Sequence, residues 1–323
     1  MYQKNNKLMT IPLKEIDINN LEYFINYPAD SRDPIYLFKG EFSYSPVLLT
    51  ETDSGYTVVE GFNRINQLIQ MPCSYVDAII LDDKDSLSLF TKGLLHRISF
   101  SSFNIIEQSS IITKLKKTYH LADRDIIENY LPILHENPSQ HSLEALLSLD
   151  NLAGCIKNYV VENNIAAGLC LEFVQYSVRE QEYLYSFIQK TKPGVNKLKI
   201  MLESLRHIIR RDNITITELL SDQPFTAVQQ NEETSSKSLL ITLIDLLSKI
   251  RYPEYHSHKS AVRAITDSFR LPPRWKISTP ANYEGQGIEL SFKIRDIRDY
   301  ESAIKKLNDI YEDHSVKKLF EIL

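Results

Sequence analysis

Residues Tyr56–Gln70, YTVVEGFNRINQLIQ, are the stretch on which the fold turns. A β-branched run, Thr57-Val58-Val59, stops at Gly61, and Ile65, Leu68 and Ile69 then recur at helical spacing. Such a strand-glycine-helix joint has two readings. It is a tight turn in an ordinary α/β unit, or it cradles a phosphate, because a helix N-terminus presents unpaired N–H groups and partial positive charge. Gly61 lets backbone come close to an anion, and Arg64 on the first turn can make a forked, charge-assisted contact.

Working outward, Ser45–Leu49 reads as a short apolar strand with Pro46 at its start or on an edge. Glu51–Gly55 is a polar turn, and Tyr56–Glu60 returns as the hairpin partner. Ile11–Ile16 reads as an entering strand and turn. Pro72 stops the helix, Val76, Ala78 and Ile80 alternate as a further strand, and Asp82-Asp83-Lys84-Asp85 makes a charged joint. From Ser86 to Arg211 the pattern is nearly continuous helix. Asp123 is expected to cap the helix that carries Ile126, Ile127 and Tyr130, broken near Pro132. Residues 221–238, SDQPFTAVQQNEETSSKS, are polar and read as a linker or loop. Beyond them come an apolar helix over Leu239–Ile250 and two strands, WKIST and IELSFKI, about a turn at Asn282–Gly287. A helix over Tyr300–Tyr311 follows.

The chain has 323 residues, 43% hydrophobic and 24% charged, with a formal net charge of -5. That length implies two or three domains. The charge gives no global basic field, so nucleic-acid contact would need a local patch. Cys73, Cys155 and Cys170 are far apart and lack metal-knuckle or disulfide-framework spacing. No segment approaches the roughly 20 apolar residues of a membrane span, and no signal-like run opens the chain. A cytoplasmic protein without a membrane partner is expected.

The order IPLKEID, SPVLL, VVEGFNRINQL, YVDAII resembles the N-terminal domain of the ParB/sulfiredoxin-like superfamily. FNIIEQSSIITKLKKTYHLADRDIIENY and SLEALLSLDNLAGCIKNYVVENNIAAGLCLEFV are similar to the ParB helix-turn-helix region, so the resemblance covers roughly residues 8 to 210. It implies an α+β fold in parts: a ParB/sulfiredoxin-like domain at 8–85, a mainly helical domain with a helix-turn-helix at 86–220, the linker at 221–238, and a C-terminal helix with a small β-β-α module at 239–323. It also implies a DNA-binding protein of partition or transcription control, acting as a homodimer. Two other classes stay open: a nucleotide-hydrolysing enzyme, and an interaction scaffold.

In the resembling families the joint reads Gly-Glu-Arg-Arg or Gly-Cys-His-Arg. Here Gly61 and Arg64 match, and Phe62 and Asn63 do not. The sulfiredoxin cysteine is replaced by Phe62, and Asn63 removes a cation. A second nucleotide motif, Glu-Asn-x-x-Arg, aligned on Glu107, falls on His96, Arg97 and Phe100. What the resemblance implies is CTP at Gly61, Phe62, Asn63, Arg64, His96 and Arg97, with at most weak CTP hydrolysis.

DNA contacts are expected from Ser139, Gln140, His141 and Ser142 on the recognition helix, beside Glu144. Phosphate contacts are expected from Lys197, Lys199, Arg206 and Arg210 within the basic run Lys190–Arg211, with Lys114, Lys116 and Lys117 adding to the same face. Asp82, Asp83 and Asp85 read as solvent-facing, so no nuclease is expected. His256 and His258 lack a ligand partner at metal spacing. Trp275 is expected as a core anchor of the C-terminal module.

Overall fold

The computed structural model describes residues 7–25, 46–71, 73–280, 287–312 and 315–322. The chain divides into two compact units, Met1–Leu202 and Glu203–Leu323.

The first unit opens on a five-stranded mixed sheet. Its strands are β1 (Lys7–Pro12), β2 (Ile16–Asp17), β3 (Val47–Thr52) and β4 (Gly55–Glu60), and, after helix α1 (Phe62–Gln70), β5 (Tyr75–Leu81), in the order β1-β5-β3-β4-β2. β3 and β4 form the expected antiparallel hairpin, and Pro46 stands just before β3. β5 returns parallel to β3 and antiparallel to β1, pairing Ile11 with Val76. β3 is the central strand, and Val47, Leu48, Leu49 and Thr50 are all buried, as a strand covered on both faces requires. β5 alternates as far as Ala78: Val76 and Ala78 are buried, while exposed Asp77 accepts a hydrogen bond from Thr10 Oγ1 at 2.8 Å; Ile80, expected on the inner face, is half-buried, and Leu81 is buried instead.

Helix α1 buries Phe62, Ile65 and Leu68. Ile69, expected on the apolar face, is exposed at the C-terminal end of the helix. Pro72, expected to stop this helix, lies outside the described residues, as does the expected turn at 282–286.

The rest of the unit is helical. α2 (Ser86–Ile98) is capped by Asp85, whose carboxylate accepts from Ser88 N at 2.7 Å. Asp83 accepts from Lys92, Ser88 Oγ and the Asp85 N–H, which hold its carboxyl well below the usual carboxylate range. α2 comes so close to β4 that a side chain at Gly93 would begin 3.1 Å from the Val59 carbonyl oxygen. α3 (Ile105–Lys117) starts at a capping box: Asn104 Oδ1 accepts from Glu107 N, and Glu107 Oε2 accepts from Asn104 N at 3.0 Å.

α4 (Asp123–Asp125) continues into a π-helical turn, Ile126–Tyr130. Its N-cap is Ala122, not Asp123 as expected; Asp123 stands one place inside the helix and pairs with Lys116 Nζ at 2.6 Å. Then follow α5 (Gln140–Ser148), α6 (Gly154–Glu162), α7 (Ala167–Val174), α8 (Val178–Thr191) and α9 (Val195–Asp212). Fully buried Gln181 ties this bundle together, accepting from Ala153 N at 2.7 Å and donating to the Tyr176 carbonyl at 2.9 Å.

The second unit takes over within α9. It holds α10 (Ile216–Leu220), α11 (Gln223–Gln230), α12 (Ser236–Arg251), α13 (Pro253–Ser268), the two-stranded ribbon β6 (Lys276–Ser278) and β7 (Glu289–Ser291), α14 (Ile297–Glu312) and α15 (Ser315–Ile322). The expected linker at 221–238 is a correction. Its middle, Gln223–Gln230, is α11, which buries Phe225 and Val228 and has a proline in its first turn. Two apolar residues three apart anchor a helix whose other positions are mostly polar, which is why the stretch reads as a linker by composition.

The C-terminal module packs on Val262, Phe269, Ile310 and Leu319. Trp275 is a second correction. It is not in that cluster but stacks on Phe292, ring centroids 4.0 Å apart, in the wall of an open cleft of about 240 Å³ beside α14. One pair beyond the ribbon's Lys276–Ser291 register, the two rings are cross-strand neighbours at its mouth.

Candidate functional site

Gly61 caps α1 in the left-handed region, φ 104 and ψ 20, and its carbonyl accepts from Ile65 N at 3.0 Å. A Cβ at this position would lie 2.5 Å from Val47 Cγ1. Conformation and close approach to β3 both demand glycine, whatever else the joint does. Phe62 turns inward and meets Phe24 edge to face at 5.2 Å. Asn63 is half-buried on the first turn.

The basic side chains at the joint find carboxylates. Arg64 Nη2 lies 3.4 Å from Glu60 Oε2, and His96 Nδ1 lies 2.9 Å from the same oxygen. Arg97 Nη2 donates to Glu107 Oε1 at 2.6 Å, with its guanidinium 4.8 Å above the Phe103 ring. Both carboxylates are largely shielded from solvent, so the two arginine contacts are interior ion pairs and the His96 contact is an interior hydrogen bond, unlike screened surface contacts. The cavity bounded by Tyr23, Val59, Glu60, Gly61, Phe62 and Arg97 has a volume of about 10 Å³, room for about one water molecule.

The fold therefore gathers the expected residues: Gly61, Phe62 and Arg97 on one cavity wall, Arg64 and His96 on one oxygen. Sequence reasoning missed their partners, Glu60 and Glu107. Glu60 stands immediately before Gly61 and four residues before Arg64, a spacing that signals a pair. Glu107 is three residues after Asn104, which signals a capping box.

The second candidate is the helical pair α3–α5. Buried Ile111, Ile112, Leu115, Ile126, Leu143 and Leu146 make its core. Ser109 Oγ donates to the Leu146 carbonyl at 2.7 Å and Gln108 Nε2 to that of Leu134 at 3.3 Å. Ser139 is the N-cap of α5, its Oγ accepting from Ser142 N at 3.1 Å and lying 3.0 Å from Ser142 Oγ. Gln140 Nε2 donates to Glu144 Oε1 at 2.9 Å, and His141 is exposed. Of the four expected DNA contacts, two serve the cap, one faces a carboxylate, and His141 stands open.

The lysines of α3 do not form one phosphate-facing set. Lys114 Nζ donates to the carbonyls of Glu22 at 2.6 Å and Phe24 at 3.0 Å, and burial pulls its pKa down. Lys116 pairs with Asp123 and Lys117 with Asp150 at 2.9 Å. Arg124 pairs with Glu128 at 2.8 Å.

Along α9, Leu198, Met201, Leu202, Leu205 and Ile208 are buried. Nine residues are about two and a half turns, which puts Lys197 on the opposite side of the helix from Arg206, whereas Lys199, Arg206 and Arg210 fall on one stripe. Glu203 shares that stripe, and Lys199, Glu203 and Arg206 each have interactions of their own. The four cations expected as one patch do not share a face. Among the described residues no group of three or more His, Cys, Asp or Glu is arranged to hold a metal ion, and no helix is long and apolar enough to cross a membrane.

No protein-family model matches the chain, and no curated protein matches it. Among solved structures it is similar, at 14% identity, to the C-terminally truncated chromosome-partitioning protein ParB from Caulobacter crescentus complexed to the centromeric parS site. That match covers 65% of this chain and 95% of the other, with a TM-score of 0.32. It is also similar to C-terminally truncated ParB from the same organism complexed with CTP-gamma-S, at 14% identity over 55% of this chain and 99% of the other, with a TM-score of 0.20. Superposition at these scores is poor, and what the chain does is read from its own geometry.

Proposed function

We propose that this chain is a DNA-binding protein of ParB-like architecture, of the kind used in DNA partition or transcription control. It would present the N-terminal end of α5 to the duplex. One observation carries the reading: α5 is held on α3 by a buried core while Gln140 and His141 stay exposed at its capped N-terminus. Both side chains can bond base edges, and a helix N-terminus favours a nearby phosphate.

The surrounding charges set the strength. Glu144, Glu128 and Asp123 oppose phosphate, and the cations of α3 are engaged. Affinity is therefore moderate and its salt dependence shallow, with about two to four phosphates neutralised. Fluorescence anisotropy with a labelled duplex over a salt series tests this. The expected result is binding at low salt that weakens as salt rises, and about tenfold weaker binding for Gln140→Ala with His141→Ala. No binding at low salt, or indifference to that pair of substitutions, removes the reading.

A nucleotide at the joint is the second reading, favoured by the convergence of Arg64, His96 and Arg97 around Gly61 and Phe62. An incoming phosphate would have to take Arg64 and His96 from Glu60. Calorimetric titration with CTP decides it. Heat that Arg64→Ala abolishes and Glu60→Gln enhances supports the nucleotide reading, and absence of heat in both the parent and Glu60→Gln ends it.

A further inference from the structure

The last turns of α6 and α8 enclose an open cleft of about 410 Å³, which belongs neither to the joint at Gly61 nor to the capped start of α5. Small-molecule sites commonly measure roughly 300–1,000 Å³, so this one is large enough to hold a ligand. Buried Ile188 and Pro193 line it beside Tyr159 of α6 and Tyr185 of α8, both half-buried. The two rings stand 66° to one another with centroids 6.1 Å apart, which makes an aromatic corner. Neither phenol hydroxyl has a hydrogen-bond partner among the described residues. Burial pushes the Tyr159 pKa up, the mark of a corner poorly served by water.

The charges around the cleft select what it can hold. α6 ends at Glu162 and α8 at Thr191, so two helix C-termini reach the cleft together. Their last carbonyls carry partial negative charge and favour a cation. Glu162 is exposed and in no ion pair among the described residues, and it adds a full negative charge. Asn163 donates its Nδ2 to the Tyr159 carbonyl at 2.9 Å, which leaves Oδ1 as an acceptor, and Gln189 brings a second amide oxygen. Among the lining residues the cation is Lys192, the exposed left-handed C-cap of α8. An anion would meet Glu162 and two negative helix ends. A cation meets one lysine, and the electron-rich faces of two tyrosines attract it.

We infer that this cleft binds a small aliphatic ammonium ion, its alkyl part against Tyr159 and Tyr185 and its N–H groups donating to Glu162 and the neighbouring carbonyls. Nothing in the arrangement depends on DNA or on a nucleotide at the joint.

Calorimetric titration of the full chain with spermidine, without nucleic acid and at constant ionic strength, tests it. The expected result is binding with a dissociation constant at or below about 1 mM. Glu162→Gln, and separately Tyr185→Leu, should each weaken it by about fivefold or more, with far-UV circular dichroism like the parent's. Tyr185→Phe keeps the ring face and should stay within about twofold of the parent, which a role for the hydroxyl would not allow. Lys192→Gln should tighten binding. Absence of heat up to several millimolar spermidine overturns the inference. So does binding indifferent to either Glu162→Gln or Tyr185→Leu, or binding that Lys192→Gln weakens.

Discussion

The joint at Glu60–Arg64 and the start of α5 use the same kinds of residue at the same kind of place, a helix N-terminus, and end with opposite character. At the joint the cap is a left-handed glycine pressed against Val47, the first helical residue is a buried phenylalanine, and arginine and histidine meet on a shielded carboxylate. At α5 the cap is a serine that satisfies the backbone itself, and glutamine and histidine beyond it face solvent. One terminus is a packing joint; the other is a surface. The lesson is that a phosphate-loop pattern marks a geometry, and the acids around it decide whether its cations are on offer.

Four substitutions can break or sharpen that contrast. Gly61→Ala should have the largest effect, about 3–4 kcal/mol, because it adds a left-handed penalty to a collision with β3. Chemical-denaturant unfolding reads it, and a loss below about 1 kcal/mol would show the joint to be loosely packed.

Glu107→Ala comes next, at about 3 kcal/mol, since it takes the carboxylate from the largely shielded guanidinium of Arg97 and removes half a capping box. The paired change Arg97→Met with Glu107→Leu should recover much of that loss, as no charge is left uncompensated. A pair no more stable than the single variant would argue that the ion pair itself holds the fold.

Ser139→Ala removes a cap and should cost about 1 kcal/mol of stability. Its effect on duplex binding should not exceed what that loss explains, whereas His141→Ala should weaken binding with thermal stability unchanged. Lys116→Ala should be smallest, within about 0.5 kcal/mol, because its pair with Asp123 is solvent-screened.

Much of the fold was legible because local rules act alone there. The β3–β4 hairpin, the alternation of β5 and the start of α1 follow from periodicity and from one glycine. The failures occur where few residues decide. Phe225 and Val228 suffice to bury α11 within an otherwise polar stretch. Ala122 displaces Asp123 as the cap of α4 because Asp123 is drawn to Lys116. Trp275 stacks at the ribbon's mouth, since its strand position places it beside Phe292 and short of the core.

For the candidate site, the sequence by itself determined which groups stand side by side along the chain. The strand-glycine-helix joint and the polar N-terminal end of α5 are periodic or adjacent features of the chain. Only the tertiary structure decided what each group faces. Glu60 reaches His96 across 36 positions, and Lys114 reaches the carbonyls of Glu22 and Phe24 across about 90. Electrostatic partners are chosen by distance in space, and burial sets their strength. No one-dimensional spacing encodes either, so tertiary structure separates a cation held in the interior from one offered to a ligand.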